Sequence, residues 1–148
     1  MSIVGRSALV NHSALQMFAL VSDVESYPRF LSWCDRARVS EQGRGRTVAT
    51  LRINFRGLKE ELTTENRERP GERIDMKLVS GPFRSLEGSW RFTPLSEKAC
   101  KVELNLRYEF SSVLIDKVVG AVFDEIANSL VDAFARQAEL RFGTHEGG

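Results

Sequence analysis

The sequence predicts an α+β fold in which a curved antiparallel sheet of about seven strands wraps around one long C-terminal helix. Between residues 35 and 110, apolar residues recur with a period of two, which is typical of strands with one buried face. From residue 113 to residue 142 they recur at helical spacing. The long helix is the only predicted element large enough to cover the buried face of the sheet, so we expect the two to pack together.

The chain opens with a predicted strand and two short helical segments. Residues 2–11 are rich in β-branched and apolar residues and predict the first strand. Ser13 is suited to cap a helix through ALQMFALVSDV, because its hydroxyl can accept from the first free backbone amides. The next stretch, ESYPRFLSWC, predicts a short helical turn, since Pro28 is tolerated in the first turn of a helix.

Turn-forming residues divide the middle of the chain into further strands. ARVSEQG and RTVATLRINFRG predict a hairpin around residues 42–45. LKEELTTENRER predicts a more polar strand that ends at the turn signal Pro70-Gly71. ERIDMKLVSG, FRSLEGSWRFTP and CKVELNLRYEF complete the sheet, and the last of them alternates most regularly between apolar and charged residues. Because a straight cylinder fits a strongly bent sheet poorly at its open end, we expect a cavity between the helix and the sheet.

Composition limits the classes of protein that this chain represents. Its 148 residues fit one domain, 1–148. The formal net charge of +1 creates no strong global field, and we expect no DNA partner. There is no long apolar run and no signal-peptide pattern at the N-terminus, so we expect a cytoplasmic protein. Cys34 and Cys100 are far apart and lack metal-binding spacing, which favours reduced thiols and no metal site.

Several segments resemble one known family. DVESYPRFLSWC resembles the YPxFLPWC signature of the START-like coenzyme Q-binding proteins and bacterial ribosome-association toxins, with Ser32 where the signature has proline. The resemblance continues through VSGPFRSLEGSWRFTPL, CKVELNLRYEF and VFDEIANSLVDAF, and so covers nearly the whole chain. GPF, W-x-F-T-P-L and the following E-x-x-C are most similar to the toxin branch. The resemblance implies the helix-grip fold of polyketide cyclases and aromatases, with a hydrophobic pocket between sheet and helix.

The resemblance implies two different functions. In the mitochondrial branch the pocket serves ubiquinone and supports respiration, whereas the enteric bacterial protein binds the large ribosomal subunit and blocks subunit joining. We therefore expect a carrier or chaperone for ubiquinone or a related isoprenoid lipid, with peripheral contact at the inner membrane. A ribosome-association toxin is the alternative. No cofactor is expected beyond the bound lipid.

The predicted ligand-binding residues belong to the buried faces and to the aromatic segment. The sheet and helix contribute Phe55, Met76, Trp90, Phe92, Leu106, Phe110, Phe123, Ile126, Leu130 and Phe134, for which a dry core is the alternative. Tyr27, Phe30, Leu31 and Trp33 are expected either to form a lid over an apolar ligand or to plug the open end of the core. Candidates for contacting a headgroup, by residue type, are Tyr108, Arg6 and Thr47.

A cluster of arginines surrounds the first predicted hairpin. Arg36, Arg38, Arg44 and Arg46 are suited to contact the phosphates of ribosomal RNA. Ordinary solvated charge is the alternative, since acidic residues dilute the cluster.

Enzymatic activity is the hypothesis that the residues favour least. A cyclase or dehydrase needs an acid or base of tuned pKa inside the pocket. Neither His12 nor His145 has a convincing partner in the sequence, and Cys34 is more typical of a buried structural thiol than of a nucleophile. Glu87 should face solvent by strand alternation. We therefore expect no catalytic residue and no enzymatic activity.

Overall fold

The computed structural model describes residues 1–143. Strand β1 (Ser2–Val10) leads into helix α1 (Ala14–Ser22) and a short 3-10 helix (Val24–Arg29). Six strands follow, and they are β2 (Cys34–Gly43), β3 (Arg46–Phe55), β4 (Leu58–Arg69), β5 (Arg73–Ser80), β6 (Phe83–Ser96) and β7 (Ala99–Phe110). The described chain ends in helix α2 (Val113–Phe142). The order of elements is the predicted one.

All seven strands form one antiparallel sheet in the order β1-β7-β6-β5-β4-β3-β2. From β2 to β7, each strand pairs with the next strand in the chain. Strand β1 instead pairs with β7 and forms one edge of the sheet, and β2 forms the other edge. Helix α2 buries Phe123, Ile126, Val131 and Phe134 against the inner face of this sheet. The structure therefore confirms the α+β prediction and the helix-grip arrangement.

The pairing of β5 with β6 is incomplete. These strands pair from Arg73 opposite Arg91 as far as Lys77 opposite Glu87. In the described chain no β5–β6 pairing continues beyond that point, because the end of β5 follows β4 and the start of β6 follows β7. We call residues 78–86, where the two strands separate, the β5–β6 seam.

Local capping fixes the start of α1 and both ends of α2. The Ser13 hydroxyl accepts from the Gln16 amide at 3.1 Å, and the Gln16 side chain accepts from the Ser13 amide at 2.9 Å. This reciprocal capping box starts α1 where the sequence predicts it. Ser112 caps α2 through the Ile115 amide, and Gly143 ends that helix with a φ of 76°, a conformation that favours glycine. Within residues 1–143, no helix combines the length and the apolar character needed to span a bilayer.

Two aromatic clusters hold α2 on the sheet. The Phe134 ring lies 5.2 Å from Tyr27, 5.3 Å from Phe30 and 5.2 Å from Trp90, in edge-to-face geometry. Nearer the start of α2, Phe123 packs edge-on against Phe83 at 5.0 Å, beside Tyr108 and Phe110. Edge-to-face contacts of this kind add to the stabilisation that burial provides. The clusters lie toward opposite ends of the stretch of α2 that faces the sheet.

Candidate ligand-binding cavity

A cavity of about 90 Å³ lies between the inner face of the sheet and α2. It forms there because side chains two residues apart on a strand share a face, and those of β3 to β7 point at one side of the helix. The sheet contributes Leu51, Ile53, Leu62, Thr64, Met76, Leu86, Trp90 and Leu106. The helical segments contribute Tyr27, Phe123, Ile126, Ala127, Leu130 and Phe134, and Trp33 completes the wall.

Gly88 shapes the wall of the cavity where β6 meets β7. A Cβ atom at this position would clash with the Asn105 carbonyl oxygen and with the Leu106 side chain. The absence of a side chain therefore allows Leu106 to lie across β6 and to reach the cavity.

The aromatic segment that follows α1 closes one part of this wall. Tyr27, Leu31 and Trp33 are only 9%, 2% and 7% exposed, so none of them is displayed for contact with a membrane. The Tyr27 hydroxyl donates to the Val21 carbonyl, and the Asn54 amide donates to the Trp33 carbonyl at 2.7 Å. Burial raises the pKa of Tyr27 well above its usual value. In this conformation the segment is packed into the wall, and the lid role, which stays a prediction, requires it to move.

Most of the predicted ligand-binding residues line the cavity, namely Tyr27, Trp33, Met76, Trp90, Leu106, Phe123, Ile126, Leu130 and Phe134. The others lie outside its lining, and they are Phe30, Leu31, Phe55, Phe92 and Phe110. Phe92 stacks on Trp90, Phe110 stacks on Phe83, and Phe55 lies near the β3–β4 turn under the Arg56 guanidinium. A binding role for each of these residues stays a prediction.

The sequence did not single out several residues of the wall, which are Leu51, Ile53, Leu62, Thr64, Leu86 and Ala127. Alternation along β3 already places Leu51 and Ile53 on one face and could have identified them. The inner face of β4 was harder to recognise, because it carries polar residues next to Leu62.

None of the predicted headgroup contacts lines the cavity. Residue type alone does not say whether a polar side chain already forms a hydrogen bond within the protein. Here all three of the predicted side chains do. The bonds run from Arg6 Nε to Asn128 Oδ1 (3.1 Å), from Thr47 Oγ1 to Glu68 Oε1 (2.7 Å), and from the Tyr108 hydroxyl to the Asp124 carboxylate. Burial and the adjacent carboxylate raise the pKa of Tyr108 above its usual range.

The cavity is suited to binding rather than to acid–base chemistry. Tyr27 is the one titratable side chain in its described lining, and its hydroxyl is already bonded. Within residues 1–143, no cluster of three or more His, Cys, Asp or Glu side chains could hold a metal ion. An apolar wall of this composition excludes water and favours an uncharged hydrophobic ligand.

The other candidates for chemistry lie away from the cavity lining. Cys34 is buried, and desolvation raises its pKa to about 11, which disfavours the nucleophilic thiolate. Glu87 faces solvent, as alternation predicts. His12 is buried at the end of β1, where its Nε2 lies 3.0 Å from Glu139 Oε1. His145 lies outside the described residues.

The predicted RNA-contacting arginines are not equivalent. Arg36 and Arg38 are exposed on the edge strand β2, and Arg44 is exposed in the following turn. Among the residues that the structure describes, none of these three forms an ion pair with a carboxylate. Arg46 is bonded by two carboxylates, which raise its pKa and occupy its guanidinium, and they belong to Glu41 (3.0 Å) and Glu65 (2.9 Å).

Comparison with known proteins identifies the family. Residues 10–135 match the polyketide cyclase / dehydrase and lipid transport family. The chain belongs to this family. A ribosome association toxin RatA of Vibrio cholerae is 48% identical over 143 residues, covering 97% of this chain and 99% of that protein. The mitochondrial coenzyme Q-binding protein COQ10 homolog B of Xenopus laevis is 32% identical over 144 residues, covering 95% of this chain and 59% of that protein.

A solved structure shows the same fold. The Zhui aromatase/cyclase of a Streptomyces species superposes with a TM-score of 0.86 at 18% identity, covering 99% of this chain and 98% of that one. These matches confirm the resemblance to START-like coenzyme Q-binding proteins and ribosome-association toxins. The two relatives carry the names of a toxin and a binding protein, and identity to the cyclase is low enough that it supports the fold alone. The expectation of no enzymatic activity stays a prediction.

Proposed function

We propose that this protein binds ubiquinone or a related isoprenoid lipid in the cavity and carries it in support of respiratory electron transport. The observation that supports this most directly is the nearly apolar cavity enclosed by the sheet and α2. A relative named as a coenzyme Q-binding protein supports the choice of ligand. An uncharged lipid suits a wall of aromatic and aliphatic side chains better than any charged metabolite does.

The ligand-bound form must be wider than the closed structure. A cavity of 90 Å³ is smaller than the roughly 150 Å³ that accommodates benzene in another protein. Burying about 300 Å² of prenyl chain contributes roughly 7 kcal/mol at about 25 cal/mol per Å². Loss of ligand freedom and opening of the wall offset part of this gain. The balance favours micromolar or weaker affinities, which suit a carrier that must release its ligand.

Tryptophan fluorescence can report whether a lipid binds in the cavity. The two tryptophans of the chain, Trp33 and Trp90, both line the cavity. A quinone bound between them should quench tryptophan fluorescence in a saturable way, and denatured protein serves as the control. Mass spectrometry of an organic extract of the gently purified protein identifies any lipid retained from the cell. Absence of saturable quenching together with an empty extract would refute the proposal.

A second function is supported by a different surface and a different relative. We propose that the protein also associates with the ribosome, at its large subunit. The name of the Vibrio cholerae relative, a ribosome association toxin, supports association with the ribosome. Arg36 and Arg38 offer two exposed guanidinium groups on an edge strand, where RNA phosphate can approach. Co-sedimentation with purified large subunits at low salt tests this function, and protein that remains in the supernatant would contradict it.

A further inference from the structure

We propose that Thr64 and Asn66 form a polar subsite that recognises an uncharged, carbonyl-bearing headgroup. This inference rests on the proposed lipid-binding function, since it names the part of the lipid that the cavity selects. It assigns a role to a pair of polar residues on a face that would otherwise be expected to be apolar.

The placement of the pair follows from the register of β4. Pairing with β3 is regular through this stretch, with Thr64 opposite Ala49 and Asn66 opposite Thr47. Alternate residues therefore keep to one face, so that Asn66 lies on the same face as Thr64, which lines the cavity. Polar side chains on the buried face of a sheet are uncommon, so their presence calls for a specific role.

The hydrogen bonding of the pair leaves donors unused. The Thr64 hydroxyl donates to Asn66 Oδ1 at 2.8 Å, which holds the carboxamide in place. Asn66 is only 9% exposed, and among the described residues no group accepts from its Nδ2. The Nδ2 atom is not among the fully buried polar atoms that lack a partner, so water reaches it in the empty protein and the acceptor of a ligand can replace that water. The carbonyl oxygen of a quinone is an acceptor of this kind.

The charges around the cavity indicate which net charge the headgroup of the ligand must have. No lysine, arginine or histidine belongs to the lining in residues 1–143, so a carboxylate or phosphate would be buried without a counter-ion. Glu68 continues the inner face of β4, and its carboxylate accepts from Thr47 Oγ1 at 2.7 Å. That negative charge further disfavours an anionic head, and no aspartate or glutamate belongs to the described lining, so a cationic head would also be buried without a counter-ion. The combination selects a neutral acceptor.

Three probes with alkyl tails of similar length separate the contribution of the headgroup from that of the tail. They are decylubiquinone, decylbenzene and decanoate, each titrated by calorimetry into the full-length protein. We expect the wild type to bind decylubiquinone most tightly and decanoate least tightly. Asn66→Leu should weaken decylubiquinone about tenfold, equal to about 1.4 kcal/mol, and change decylbenzene by less than about twofold. The matched control is Thr63→Val, on the opposite face of the same strand, where the hydroxyl pairs with Thr50 at 2.7 Å. It should leave all three affinities unchanged.

Each outcome distinguishes the subsite from the lipid-binding function. If the wild type binds neither decylubiquinone nor decylbenzene, the proposed function fails and the subsite fails with it. If it binds both but Asn66→Leu retains the affinity for decylubiquinone, the subsite alone is refuted. Tighter binding of decanoate than of decylubiquinone would refute the selection for a neutral head. If Asn66→Leu does not fold, the nearly isosteric Thr64→Val decides, because loss of the Thr64 hydroxyl frees the Asn66 carboxamide. An unchanged affinity for decylubiquinone in that variant overturns the subsite.

Discussion

Filling the cavity from the helix should stabilise the protein and abolish ligand binding. Ala127 is 1% exposed and lines the cavity, so Ala127→Leu adds three carbon atoms beside existing empty space. At about 24 cal/mol per Å³, eliminating a void of 90 Å³ is worth at most about 2 kcal/mol. Three newly buried carbons at about 0.8 kcal/mol each give a similar figure. Alanine and leucine are both strong helix formers, so the backbone preference changes little.

Thermal and urea unfolding measure this gain in the free energy of unfolding. For a chain of this size, about 2 kcal/mol corresponds to a rise in Tm of roughly 4–8 °C. The matched control is Ala138→Leu, which changes another buried alanine of α2 that is 0% exposed and lies outside the cavity lining. There the added carbons have no space, and overpacking should cost about 1–3 kcal/mol.

Comparison of the two variants tests the reasoning directly. If Ala127→Leu destabilises the protein as much as Ala138→Leu does, the space beside Ala127 does not exist and the cavity argument is refuted. If Ala127→Leu is more stable but its tryptophan fluorescence is still quenched by quinone, the ligand binds elsewhere. The expected pair of results, higher stability with loss of quenching, would show that this protein retains an empty space for its function at the expense of stability.

Three further predictions concern the core, the thiols and the edge strand. Trp90→Ala and Phe110→Ala should each lower the free energy of unfolding by about 3–5 kcal/mol, because both side chains are buried, and a urea transition like that of the wild type would contradict this. Because burial raises the pKa of Cys34 from 9.0 to about 11, the folded state holds its proton more tightly than the unfolded state. The resulting stabilisation is fully present below about pH 9 and is lost as the pH rises through about 11. Rapid labelling of native Cys34 by a thiol reagent at pH 8 would disprove the burial of this thiol. Replacing Arg36 and Arg38 by alanine should flatten the salt dependence of ribosome co-sedimentation, whereas an unchanged slope would exclude both from the contact.

The regular strands were predictable from sequence because their two faces meet different environments. In β7, Val102, Leu104 and Leu106 are buried while Asn105 and Arg107 are exposed, so the period of two is visible in the residue types. Ser13 and its capping box similarly mark the start of α1 from local chemistry alone. These features need no knowledge of distant contacts.

The inner face of β4 and the polar partners could not be predicted in the same way. Thr64 and Asn66 lie on the inner face, so polarity there does not indicate exposure, and the sequence identified β4 only as a more polar strand. Tyr108 was a plausible headgroup contact by type, but its partner Asp124 lies on a different element. Which polar groups remain available to a ligand depends on such long-range pairing.

The β5–β6 seam bears on how the closed cavity admits a ligand. Separating two paired strands normally breaks a ladder of backbone hydrogen bonds, each of which contributes about 1 kcal/mol. Across the seam that ladder is already absent in the described chain, and Leu86, which lines the cavity, belongs to it. The wall can therefore widen at this line without breaking β5–β6 backbone hydrogen bonds. The seam makes the sheet compliant along one line, whereas a fully paired sheet would resist the same expansion everywhere.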